Sequence, residues 1–283
     1  MISPKTGRVY NVIPDTPDPR DLVAAFPNAE QLALAPDEVD FREIPERVPP
    51  VWDQGQEGAC TGHGNGAAFE IHRREQKLTP MMPSRKFIYR AERKIEGDVA
   101  QDNGAQVRTG IKAMATVGVP HEELYPYTVD DFTTEPAPDV YADALKHKVE
   151  KYMRVAATPE GFVAALAGGD AVVFGFTVYD SFEGEEFAKT GVLPMPASGE
   201  KNLGGHCVCA VGYKITSRSG KHGGVLGPIL DHLFGAKQLD GYLIVRNSWG
   251  DTWGDKGYFQ MPFGYLRHGY VSDAWVVQAV DNA

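Results

Sequence analysis

The fold class this sequence predicts is α+β in two lobes, because helical periodicity fills its first half and short β-branched or aromatic runs fill its second. Gly and Pro clusters separate those runs, the punctuation expected between strands of an antiparallel sheet. The 283 residues suffice for two lobes with a core each, and no internal repeat or long low-complexity tract interrupts them.

Residues 1–38 are rich in Pro and Asp and read as an extended N-terminal arm, with one helix-capable stretch at Asp21–Ala33. A mainly helical lobe is expected over 39–149. It opens through a Pro-marked approach, Ile44–Pro50, into Gln54-Gly55-Gln56-Glu57-Gly58-Ala59-Cys60. Thr61–Lys77 then sets Ala67, Ala68 and Ile71 at helical spacing, although Gly62, Gly64 and Gly66 weaken its first turns. Ser84–Ile95 opens on a Pro-Ser cap signal, and Ala105–Val117 stops at Gly118. A mainly β lobe is expected over 150–283, with strands at Ala171–Tyr179, Cys207–Tyr213, Tyr242–Val245, Gly257–Met261 and Ala274–Val280.

Twenty-eight basic against 38 acidic residues give a formal charge of −10, which argues against nucleic acid or an anionic membrane as the main partner. No stretch approaches the ~20 apolar residues of a membrane span. Met1–Arg20 has no apolar core and is broken by Pro4, Pro14, Pro17 and Pro19, so it is not a recognisable secretory signal. Cys207 and Cys209, two apart on an expected strand, suit neither a mutual disulfide nor a zinc site, and no CxxC or HExxH occurs. A disulfide-free protein is expected, either cytoplasmic or exported without a recognisable signal peptide.

Acyl transfer by a thiol needs a thiolate, an imidazole, a group to hold that imidazole and donors for the oxyanion. Cys60 suits the first need, since it opens an expected helix after a Gly-containing loop, and a helix N-terminus favours negative charge. Gly58-Ala59-Cys60, with Gln54 six residues before the cysteine, resembles the nucleophile motif of the papain family. Gly205-His206-Cys207-Val208 resembles that family's histidine segment. Asn247-Ser248-Trp249-Gly250, followed by Trp253-Gly254 and Gly257-Tyr258, resembles its asparagine motif. Cys60 and His206 are 146 residues apart, within the span expected for such enzymes. Val39-Asp40-Phe41-Arg42 looks like the start of the mature domain, and Tyr125-Pro126-Tyr127 like the aromatic turn beyond the cleft.

The resemblance covers residues 39–283 and implies a papain-like fold, a helical lobe and an antiparallel β-barrel-like lobe with the catalytic cleft between them. It implies Cys60 as nucleophile, His206 as base, Asn247 as its orienter and Gln54 in the oxyanion hole. Asp102-Asn103-Gly104 resembles the segment that lines the substrate cleft, so substrate contacts are implied at Asn103, Gly104, Ala105, Gly204, Gly205 and Trp249. Trp249 is expected to shield the Asn247–His206 hydrogen bond from water. The implied activity is peptide hydrolysis through a thioester acyl-enzyme, on peptide or protein substrates, with no metal or organic cofactor. A papain-fold amidase or transferase and a non-catalytic interaction protein are the alternatives. His63 is the rival base, and His72 and His268 are expected at the surface.

Four positions depart from the family pattern. Glu57 stands where secreted relatives carry a disulfide cysteine, Thr61 replaces an aromatic residue, and Cys207 follows the base directly as a small buried residue. His206 and Asn247 are 41 residues apart, which implies an insertion at about 215–240. Within it Leu226, Ile229, Leu230, Leu233 and Phe234 have the spacing of an amphipathic helix that borders the cleft or binds a partner. The 38-residue arm is short for the family's inhibitory prosegment. It is expected to bind the cleft in cis as an inhibitor or to act as a permanent clamp.

Overall fold

The computed structural model describes residues 2–128, 131–220 and 237–281. Helix α1 (Ala29–Leu34) and strand β1 (Glu38–Asp40) precede four helices, α2 (Cys60–Glu75), α3 (Arg85–Glu96), α4 (Val107–Thr116) and α5 (Pro138–Ala144). The chain continues through β2 (His147–Arg154), α6 (Pro159–Ala167), β3 (Val172–Tyr179), α7 (Glu185–Thr190) and β4 (Asn202–Gly220). It finishes with β5 (Lys237–Arg246), β6 (Tyr258–Pro262), α8 (Gly264–Arg267) and β7 (Val271–Asp281). The α+β arrangement is the expected one, with five helices ahead of β2 and most of one antiparallel sheet after them.

Local chemistry sets the helix ends. The Ser84 hydroxyl accepts from the Phe87 N–H at 3.2 Å to open α3, and Gly97 closes it in the left-handed region. Thr158 caps α6, with Pro159 as its first residue. Helix α1 takes only the end of the helix-capable arm stretch, because Pro27 blocks earlier helix and the Asn28–Gln31 capping box starts it there. Strand β2 was not expected: its charged, mostly half-exposed residues lack strand alternation, and it lies at the edge of the sheet.

The sheet order is β2-β7-β3-β4-β5-β6, with β1 added along β4. Strand β4 is its spine. It pairs with β3 so that His206 faces Phe176, and with β5 so that Cys209 faces Arg246. Asn247, one residue past β5, is thereby delivered beside His206. Both strands outrun their expected length and stay paired as far as Gly220 and Lys237. The helix expected at Leu226–Phe234 lies outside the described residues.

Helix α2 is buried from Cys60 to Arg73. Its glycines, unfavourable for helix propensity, permit close packing: a methyl added at Gly62 would lie 2.6 Å from the Arg85 carbonyl oxygen, and one at Gly64 2.8 Å from Cys207 Sγ. The loop ahead of Cys60 is fixed by polar contacts. Asp102 accepts from the Gly58 N–H at 2.8 Å and from the Tyr89 hydroxyl. Glu57, the residue at the family's disulfide position, forms a buried ion pair with Lys86 at 2.5 Å.

Lys86→Met strands the Glu57 carboxylate in the interior and should lower the unfolding free energy at neutral pH by about 3–5 kcal/mol. Burial already pushes the Glu57 carboxyl upward against the pull of Lys86. The loss should therefore shrink as pH falls and the acid protonates. Urea unfolding of Lys86→Met, with and without Glu57→Gln, measures both effects.

Candidate active site

Helix α2 begins at Cys60 with no side-chain cap on its N-terminus. The backbone N–H groups of Cys207, the residue after His206 on β4, and of Thr61 favour the Cys60 thiolate. His206 Nε2 lies 2.9 Å from Asn247 Oδ1, which also accepts from the Ser248 N–H at 2.9 Å. An amide oxygen only accepts, so the imidazole proton sits on Nε2 and Nδ1 carries the lone pair. His206 Nδ1 is buried without a hydrogen-bond partner. Trp249 covers the imidazole at 5.3 Å between ring centroids, and Phe176 and Phe182 wall it in.

Gln54 is buried at the lip of the Cys60 loop. Its Oε1 accepts from the Ser248 hydroxyl and its Nε2 donates to the Glu57 carbonyl at 2.8 Å, leaving the second amide hydrogen uncommitted. Burial shifts both reactive groups toward neutrality. It pushes the Cys60 thiol up to about 12, against the Cys207 and Thr61 amides. It holds His206 down at about 4, against the Asn247 hydrogen bond, while the Arg8 charge adds to the lowering. His63 folds back onto its own helix, with Nδ1 3.0 Å from the Ala59 carbonyl oxygen and its ring edge-on to Tyr127. His72, expected at the surface, is buried, with Asp170 3.8 Å from its ring. Helix α2 is enclosed on nearly every side, which its polar, glycine-rich sequence does not announce.

The arm crosses this site. The Arg8 guanidinium lies over Trp249 at 4.2 Å and donates to the Gly55 carbonyl at 3.2 Å. Tyr10, 2% exposed, packs edge-on to His206 at 6.1 Å. The Val12 N–H donates to the Gly205 carbonyl at 3.2 Å and the Ile13 N–H to the Ala105 carbonyl at 3.1 Å, so the arm bridges the two walls by its backbone. Gly104 and Gly204, both at positive φ, allow this approach, since a Cβ on either would strike the carbonyl oxygens of Asn11 and Tyr10. Four expected substrate positions, Gly104, Ala105, Gly204 and Gly205, thus lie against the arm, and Trp249 lies beneath Arg8. Asn103 is different: its amide donates to Asp98 at 2.5 Å within its own loop.

Two anchors flank the crossing, and neither was found from the sequence. Glu183 accepts from the hydroxyls of Ser3, Thr6 and Tyr10 at 2.6, 2.6 and 2.8 Å. Asp15 accepts from the Arg108 N–H at 3.1 Å and from Trp275 Nε1 at 2.8 Å, while its own N–H donates to Asp273 at 3.0 Å. These partners are 93 to 260 residues apart in sequence, and only the Asp-rich composition of the arm hinted at them.

A buried thiol at a helix start, an imidazole aligned by an amide and an adjacent glutamine define a thiol hydrolase of papain type. Residues 35–275 match the papain family cysteine proteases, and the chain belongs to that family. It is a cysteine peptidase. It is 32% identical to an uncharacterized peptidase C1-like protein of Acanthamoeba polyphaga mimivirus, over 98% of this chain and 88% of that protein. It is 28% identical to the cathepsin B-like CP3 of Giardia intestinalis, over 86% of this chain and 74% of that protein. Among solved structures, xylellain, a cysteine protease from Xylella fastidiosa, matches with a TM-score of 0.80 and 34% identity, covering 99% of both chains.

Nitrogen-15 NMR of the imidazoles should find His206 protonated on Nε2 and bare on Nδ1 at pH 7. In the full chain this histidine should stay neutral down to about pH 4, well below the usual value of about 6.5. Asn247→Ala should abolish the single-tautomer signature.

Proposed function

We propose that this peptidase is a latent endopeptidase in which Cys60 is the nucleophile and residues 1–38 are a short inhibitory segment. The observation that carries the chemistry is the Asn247–His206 bond, which leaves a buried, unpartnered Nδ1 beside the strand residue whose N–H favours the Cys60 thiolate. In the open cleft Cys60 Sγ gives its proton to His206 Nδ1 and attacks the scissile carbonyl. The Cys60 backbone N–H and the free amide hydrogen of Gln54 hold the oxyanion. His206 then protonates the leaving amine from Nδ1, and the thioester remains. The same nitrogen takes a proton from water, which attacks the thioester and frees Cys60. Asn247 keeps the ring in the one tautomer that can perform both transfers.

The course of the arm supports endopeptidase action. Residues 8–13 run past the His206 imidazole from above Trp249 to Ala105 and Gly205, a course that a continuous substrate chain could follow through the groove. The arm also supplies part of the cover that keeps the imidazole neutral, through Tyr10 and the Arg8 charge. Its departure should lower the thiol pKa, raise that of the imidazole and favour the reactive ion pair.

Removing residues 1–38 should raise the peptidase rate and move the pH profile of Cys60 alkylation to lower pH. Tyr10→Ala, which leaves the rest of the arm in place, should shift both in the same direction. An arm-free protein that is folded but no faster would make the arm a clamp and sink this reading. In the arm-free protein, Cys60→Ser and His206→Ala should each cost at least about 10⁴-fold in kcat. Gln54→Ala should cost about 10²–10³-fold.

A further inference from the structure

Outside the cleft, His121, Asp143 and His147 converge from three segments: the loop after α4, the helix α5 and the first residue of β2. One ligand atom from each lies within 4.8 Å of the others. Asp143 Oδ2 is 2.8 Å from His121 Nδ1 and is oriented by the His121 backbone N–H at 3.0 Å. The two imidazoles meet edge to face, 5.1 Å between centroids.

We propose that His121, Asp143 and His147 bind a zinc-type divalent cation. Two imidazole nitrogens and one carboxylate oxygen form a borderline donor set suited to Zn²⁺, and the partly exposed His121 leaves a fourth position open to water. In tetrahedral coordination such ligand atoms stand about 3.3 Å apart. His121 Nδ1 and Asp143 Oδ2 need separate by only about half an ångström, with the cation replacing the proton they share. A rotamer adjustment of the half-buried His147 closes the set. Lys146, 3.2 Å from the other Asp143 oxygen, opposes the cation electrostatically, so affinity should rise as its reach to that oxygen is removed. The bound cation would tie the loop after α4 to the α5–β2 junction in the helical lobe, without entering the catalytic chemistry.

The test is calorimetric titration of Zn²⁺ into the full chain carrying Cys60→Ser, which removes the reactive thiol as a competing ligand. One equivalent should bind and raise the melting temperature, and Co²⁺ in its place should give the visible absorption of a tetrahedral site. His121→Ala and His147→Gln, both at partly exposed positions, should each weaken binding by at least about tenfold. Lys146→Met should strengthen it. No stoichiometric binding, or binding undiminished in the two histidine variants, overturns the proposal.

Discussion

Helix α2 lies so close to strand β4 that a methyl group at Gly64 would meet Cys207 Sγ at 2.8 Å. That distance governs the site. The proposed nucleophile is the first residue of the helix, the proposed base is a residue of the strand, and the strand's own N–H at Cys207 favours the Cys60 thiolate. A bulkier helix face would move Cys60 away from His206 however well either element was folded. The register of β4 on β5 does the rest, because it sets Asn247 beside His206 from the far end of a long antiparallel pair. Buried polar contacts then hold the loop ahead of the helix, with Glu57–Lys86 and Gly58–Asp102 fixing the path that positions Gln54 and the Cys60 N–H.

Dry packing of this kind has a chemical consequence. An imidazole enclosed by Trp249, Phe176, Phe182 and Tyr10, and a thiol buried at the start of α2, are each more stable neutral than charged. Under the proposed latency, the arm then acts electrostatically as well as sterically. Arg8 brings a positive charge over Trp249, which disfavours the imidazolium, and Asp53 and Glu183 help to retain the charge on Arg8 despite its burial. A neutral residue at that position would fill the same space without opposing the ion pair.

The chemistry of the site was legible in the sequence because it resides in short motifs. Gln54 with Cys60, Gly205-His206 and Asn247-Ser248-Trp249 each keep their relevant neighbours within a few residues, and their order fixed the fold. Helix α2 was legible only in outline, since glycines that lower helix propensity are there to let α3 and β4 approach. Strand β2 escaped because an edge strand tolerates the charged residues that erase alternation. Glu183, Asp15 and Asp273 escaped for a different reason. Nothing in Asp180-Ser181-Phe182-Glu183 announces that three hydroxyls from the start of the chain converge on it, because that association exists only once both lobes are built.

The two titrations tied to arm docking pull in opposite directions. Asp15 is pushed up to about 6 by burial and by the nearby Asp273 charge, against Arg108, Trp275 and Arg154. The docked arm therefore binds a proton more readily than a free one, whose aspartate ionises near 3.9, and falling pH through about 6 strengthens docking at this anchor. His206 has the contrary sign. Its docked value of about 4 lies below the ordinary 6.5, so falling pH favours the state in which the arm has left and the imidazole can charge. Both windows fall between about pH 4 and 6.5, and the effects offset each other there. Under the proposed latency, acid by itself would thus be a weak trigger for opening. The exposed stretch beyond the Asp15 anchor, carrying Leu22, Val23 and Phe26 on its surface, is where cutting the chain would detach the arm from the body of the enzyme. Once cut, rebinding becomes bimolecular, and the two polar anchors with the contacts between them must then hold a segment that the covalent chain no longer keeps close.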